Sequence, residues 1–180
     1  MLSARRNTPR LPIVALIGAS DASQPVLEMA EKTGIAIRKQ GWHLLTGGGA
    51  GVMEAACRGF QSVSPVAQEM TIGILPSDNT DFANRFVDIA IPTGMGWARN
   101  AIIARTAWGL IAVGGCSGTL SEIAFAWQMN KPIVALSNSG GWSSQLAGVS
   151  VDNRRDDVVF SARSGEDAVV ILKQHFANDD

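Results

Sequence analysis

Short apolar runs alternate with helix-like stretches along nearly the whole chain, and two of the joints between them are glycine-rich turns. The runs cover residues 12–17, 42–46, 70–75, 86–91, 110–113, 133–136 and 158–162. Unbroken hydrophobicity marks strands buried on both faces, the condition of a parallel sheet. Helical patterns predicted over 25–40, 51–60, 99–107, 119–129 and 164–176 supply the crossovers that parallel strands require. The expected fold is a doubly wound, mainly parallel α/β sheet of about six or seven strands with helices on both faces. Ser23 and Ser164 stand at N-cap positions, and Gly41 stands where the first helix stops. Residues 137–150, rich in Gly and Ser, read as a surface loop.

The two turns are Thr46-Gly-Gly-Gly-Ala-Gly-Val-Met-Glu54 and Gly114-Gly-Cys-Ser-Gly-Thr-Leu-Ser-Glu122. Each follows an apolar run and opens a helix, so backbone N–H groups can approach an anion with the helix dipole behind them. In open α/β sheets ligands bind outside the carboxyl ends of the strands. Both turns fall on that rim, as do Asp21, the 76–84 loop and residues 93–99. The candidate phosphate-binding residues there are Gly18, Gly47, Gly48, Gly49, Gly51, Gly94, Arg99, Gly115, Ser117, Gly118, Thr119 and Glu122.

Other readings compete for these residues. Thr119-x-x-Glu122 has the spacing of a capping box, which needs no ligand. The glycines at 47–51 could serve close strand–helix packing, and Glu54 could be a first-turn carboxylate. Arg99 suits a phosphate because its planar fork donates paired hydrogen bonds; it could instead be a surface arginine with Trp97 packed beneath it. Cys116 is expected as a small buried residue at a glycine position. Met53, Trp108, Trp127 and Met129 read as packing, and Trp142 as either a lid or an exposed anchor.

Composition narrows the function. The 180 residues form one expected domain, with residues 1–11 as a tail carrying Arg5, Arg6 and Arg10. A formal net charge of −1 provides no field to recruit nucleic acid or an anionic membrane. The longest apolar stretch is interrupted by Arg105, so no membrane span is expected. Cys57 and Cys116 have no metal-type spacing, and a cytoplasmic location is expected. Lys32, Lys39, Lys131 and Lys173 lie away from the strand-end rim, which disfavours Schiff-base chemistry of the lysine decarboxylase kind. His43 and His175 also lie off it, so no metal site is expected. Acid–base work at the rim falls to Asp21, Glu54, Asp78, Asp81, Glu122 and Arg99. A P-loop is disfavoured because no G-K-[ST] follows either turn.

Together these residues resemble the Lonely Guy superfamily of Rossmann-like proteins, often mislabelled lysine decarboxylases. Its phosphoribohydrolases carry a Gly-Gly-Gly turn and a Pro-Gly-Gly-x-Gly-Thr-x-x-Glu turn, with an arginine before the second. Gly47–Gly49, Gly115–Glu122 and Arg99 occupy the corresponding places. Thr93-Gly-Met-Gly-Trp-Ala-Arg-Asn-Ala101 and Gly118-Thr-Leu-Ser-Glu-Ile-Ala124 look most like the branch containing molybdenum cofactor carrier proteins. The resemblance covers about residues 13–136. It implies a carrier or sensor for a phosphate-bearing pterin or nucleotide, with molybdenum cofactor the specific expectation, and a homodimer or higher homo-oligomer. The alternative it implies is a nucleoside 5′-monophosphate phosphoribohydrolase with Arg99 and Glu122 as catalytic pair and no required cofactor. Gly114 in place of the motif's proline, Cys116 in place of a glycine and a first turn one residue shorter favour binding over hydrolysis.

Overall fold

Seven strands, all parallel, form one sheet in the order β4-β3-β2-β1-β5-β6-β7. They are β1 (Ile13–Gly18), β2 (His43–Thr46), β3 (Thr71–Leu75), β4 (Ile89–Pro92), β5 (Gly109–Val113), β6 (Ile133–Leu136) and β7 (Phe160–Ala162). The computed structural model describes residues 10–64 and 68–177. Of the expected tail, all but Arg10 and Leu11 lies outside the described residues.

Why the strand sequences are apolar without alternation is visible in the two cores. Val14, Leu16, Leu44, Ile111 and Val134 face one side, against α1 (Gln24–Lys39), α2 (Val52–Gln61) and α6 (Gly165–Phe176). Ala15, Ile17, Leu45, Leu110 and Ile133 face the other, against α3 (Asn100–Thr106) and α4 (Ser117–Gln128). Period-two alternation sends successive side chains to opposite cores, so both must be apolar.

The doubly wound α/β expectation therefore holds, with corrections at the edges of elements. Residues 137–150 are not all loop: α5 (Gly141–Leu146) lies within them. Its first amides, Trp142 and Ser143, donate to the carbonyls of Gly115 and Gly114, bracing the second glycine turn from behind. A six-residue helix flanked by glycines is too short to leave a periodic pattern. Ser23 is the N-cap of α1 but makes no side-chain capping bond, whereas Ser164 accepts from the Asp167 amide. Trp108, expected as core, is 41% exposed and meets Phe176 edge-on, because it stands in the turn before β5.

The chain leaves β1 in one direction to lay down β2, β3 and β4, then crosses back to pair β5 on β1's other side. At such a reversal the two connections diverge and leave a crevice at the strand ends. The residues discussed next lie there.

Candidate functional site

A cleft of about 620 Å³ opens over the ends of β1, β2 and β3 and the start of α4. That volume lies within the usual range for small-molecule sites. Of the sequence-predicted residues, Gly18, Gly47, Gly49, Arg99, Ser117, Gly118, Thr119 and Glu122 line it. Gly48, Gly51, Gly94 and Gly115 do not; their backbones shape the turns. Gly114 and Gly115 hold φ of +62° and +98°, a region that favours glycine, and so deliver the chain to the head of α4. Gly48 is held from above, its carbonyl accepting from the Asn84 amide at 2.8 Å. Gly94 donates to the Ser77 carbonyl at 2.8 Å, joining the loops after β3 and β4.

Arg99 ends a 3₁₀ turn (Gly96–Arg99) that leads directly into α3. It is a buried residue, not a surface arginine, while Trp97 beside it is 79% exposed. The Arg99 Nη1 donates to Glu122 Oε1 at 3.3 Å, and both side chains are more than nine-tenths buried. Arg99 Nε is buried with no hydrogen-bond partner among the described residues. A β-carbon on Gly47 would lie 2.5 Å from Arg99 Nη2, so the guanidinium lies against the bare backbone of the first glycine turn. The arrangement is a desolvated cation on the cleft lining, held by one long contact and with its Nε donor unused.

Glu122 is not part of a capping box. The helix begins at Ser117, two residues earlier than the spacing predicts, with Cys116 as N-cap and no side-chain cap. Thr119 is therefore the third residue of the helix, and Glu122 projects to Arg99. Burial pushes the Glu122 carboxyl up to about 7, with Arg99 pulling in the opposite direction. Burial also holds Arg99 below its usual range, partly offset by Glu122. A carboxyl titrating near neutrality beside a buried arginine can exchange a proton at physiological pH.

Ser117, Gly118 and Thr119, the first turn of the 12-residue α4, line the cleft, and no side chain caps their amides. Asn100 ties the two helices: its Nδ2 donates to Ser121 Oγ at 2.8 Å, which donates to the Gly118 carbonyl at 2.7 Å. Cys116 is exposed on the cleft wall, not buried, because an extended N-cap residue turns its side chain outward. Among the remaining rim carboxylates Asp21 lines the cleft, whereas Glu54, Asp78 and Asp81 do not. Trp142 is not on its wall either.

Several lining residues escape a reading of motifs. Asn100 and Ser121 could have been found from their place beside Arg99 and Glu122. Met53 is both buried and on the wall, reaching toward Gly49. Phe82, in a polar loop, carries no sequence signal beyond being aromatic among Asp and Asn. Among the described residues no helix is long and apolar enough to cross a membrane.

Comparison with known proteins agrees with this architecture. The description of the SLOG cluster4 family matches residues 11–171. The solved structure of the molybdenum cofactor binding protein of Rippkaea orientalis is 38% identical with a TM-score of 0.82, covering 94% of this chain and 99% of that one. The molybdenum cofactor carrier protein of Chlamydomonas reinhardtii is 36% identical with a TM-score of 0.77, covering 92% and 99%. A cytokinin riboside 5′-monophosphate phosphoribohydrolase of Mycobacterium marinum is 28% identical over 161 residues, 81% of this chain and 84% of that protein.

Proposed function

The chain belongs to the SLOG cluster4 family, and from that premise we propose that it is a binding protein for a phosphate-bearing pterin or nucleotide, with molybdenum cofactor as its cargo. The observation that carries the reading is Arg99: a buried guanidinium with an unpartnered Nε that shares the cleft lining with the uncapped first turn of α4. A desolvated cation with spare donors is costly alone and is relieved by an anion. The phosphate of the ligand sits between Arg99 and the Ser117–Thr119 amides. The backbone of Gly47 keeps that space free of side chain. The likeness to the molybdenum cofactor binding protein of Rippkaea and the carrier protein of Chlamydomonas supports the pterin as ligand.

Titration with molybdenum cofactor and with nucleoside 5′-monophosphates tests the reading. Saturable binding without release of free base is expected. No saturable binding of either class would overturn it.

One observation favours a second reading, hydrolysis of the N-glycosidic bond of a nucleoside 5′-monophosphate. Glu122, with its carboxyl near 7, has the protonation range of a general acid–base group, and Arg99 would steady the phosphate. The Mycobacterium relative supports it. Free base and ribose 5-phosphate released by the wild type, and lost in Glu122→Gln, would establish this second reading over the first. Self-association belongs to the proposal as well, supported by Ile89 and Ile91, 40% and 42% exposed on the edge strand β4.

A further inference from the structure

Two aromatic rings stand in water on the wall of the cleft. Trp97 is 79% and Phe82 76% exposed, the highest values among the exposed large hydrophobic side chains of the described residues, and both line the same opening. Neither contributes to a core. Scattered single exposures need no explanation, but two aromatics sharing a ligand-sized cleft do.

Each ring stands on a segment fastened to a neighbouring loop of the rim. Phe82 lies two residues before Asn84, which is fastened to the first glycine turn. The Asn84 amide donates to the Gly48 carbonyl, and its Nδ2 donates to the carbonyls of Gly48 and Gly49 at 3.1 and 2.9 Å. Trp97 belongs to the 3₁₀ turn, where the Gly96 amide donates to the Pro76 carbonyl at 3.0 Å. Its Cζ3 lies 3.9 Å from the place a β-carbon on Gly118 would occupy, in the first turn of α4. Leu75 and Pro76 form apolar wall near these supports. The cleft therefore sets two exposed aromatic rings on the same wall as Arg99 and the first turn of α4.

We propose that Trp97 and Phe82 form a subsite for the flat heterocycle of the ligand, a purine or pterin ring held by stacking while Arg99 and the first amides of α4 hold its phosphate. This rests on the reading that the cleft takes a phosphate-bearing heterocycle. Stacking tolerates any π-face, so the subsite selects for a planar ring and not for its edge pattern. A sugar phosphate without a base leaves the subsite unused. Asn84 is a positioning residue here, setting where Phe82 stands.

The test compares guanosine 5′-monophosphate, the phosphate ester of 6-hydroxymethylpterin and ribose 5-phosphate, by calorimetry and tryptophan emission. Wild type is expected to bind the two ring-bearing ligands about tenfold or more tighter than ribose 5-phosphate, the scale of one base stacked on an aromatic ring. Trp97→Ala and Phe82→Ala should bring the ring-bearing ligands down toward ribose 5-phosphate, whose own affinity stays unchanged. Trp97→Phe should recover most of the loss. Both side chains are exposed, so unchanged thermal melting of the variants is the control. Equal affinity of wild type for guanosine 5′-monophosphate, the pterin ester and ribose 5-phosphate, or full affinity in both alanine variants, would overturn the subsite and leave the anion site standing. Failure of all three ligands to bind would overturn both.

Discussion

The guanidinium of Arg99 fills the space that a β-carbon on Gly47 would take, with Nη1, Nη2 and Cζ 2.6, 2.5 and 2.8 Å from that point. The two residues come from opposite sides of the sheet's reversal, and neither turn alone would seat the cation. The glycine is there for the arginine's benefit as much as for the turn's.

Gly47→Ala should thus damage binding without damaging the fold. The added methyl displaces the end of a long side chain, not backbone, so stability should change by less than about 1 kcal/mol. Binding of a phosphate ligand should fall about tenfold to a hundredfold, the scale of a hydrogen bond to a charged group. Calorimetric titration beside a thermal melt separates the two effects.

Anion affinity should depend on pH through Glu122. Below about 7 its carboxyl is protonated and Arg99 is free for the ligand; above it the carboxylate competes. Sulfate, which does not titrate in this range, should bind more weakly as pH rises from 6 to 8, with proton uptake on binding. Glu122→Gln should flatten the profile. The same shift affects folding, because a raised carboxyl pKa favours the native state fully below about 4.5 and loses that advantage as pH rises through about 7. The loss is on the order of 3 kcal/mol and is read by denaturant melts across that window.

Asn100→Ala should loosen the site at a distance from the ligand. Its amide links α3 to Ser121 on α4, holding the helix that carries Glu122 against the helix that follows Arg99. A cost of about 1 kcal/mol in stability is expected, with a larger relative loss in phosphate affinity. Equal losses in melting and titration would mean the bond serves the fold alone.

Self-association should respond to the edge strand. Light scattering should give a mass that is a multiple of 19.0 kDa for the wild type. Ile89→Lys combined with Ile91→Lys should return it to a monomer, because charged side chains block edge-to-edge and face-to-face contact.

How legible was this site in the sequence? All seven strands lie within or overlap the apolar runs, because burial on both faces leaves a mark that needs no tertiary context. Arg99, Glu122 and the glycine turns were legible for a related reason: each residue type has few uses at a strand end. The start of α4 was not. Cys116 is a poor N-cap former, and only the left-handed backbone at Gly114 and Gly115 sets the helix in motion two residues before Thr119. The place of Phe82 and Trp97 on the cleft wall is set by tertiary contacts and not by a motif. Asn84 fastens the Phe82 segment to Gly48 and Gly49, and Trp97 comes close to Gly118, partners far from them along the chain.

The reversal of strand order at β1 and β5 has a kinetic meaning. The first glycine turn and the Asn84 anchor come from residues before β4, whereas Arg99 and α4 come from residues after it, and β1 pairing with β5 joins the two halves across nearly a hundred residues. Loops of that length close late. The cleft is therefore expected among the last features to form as the protein folds and among the first to open when its halves part. A ligand lodged there acts as a clasp between them, and a loaded molecule is expected to open its halves less often than an empty one.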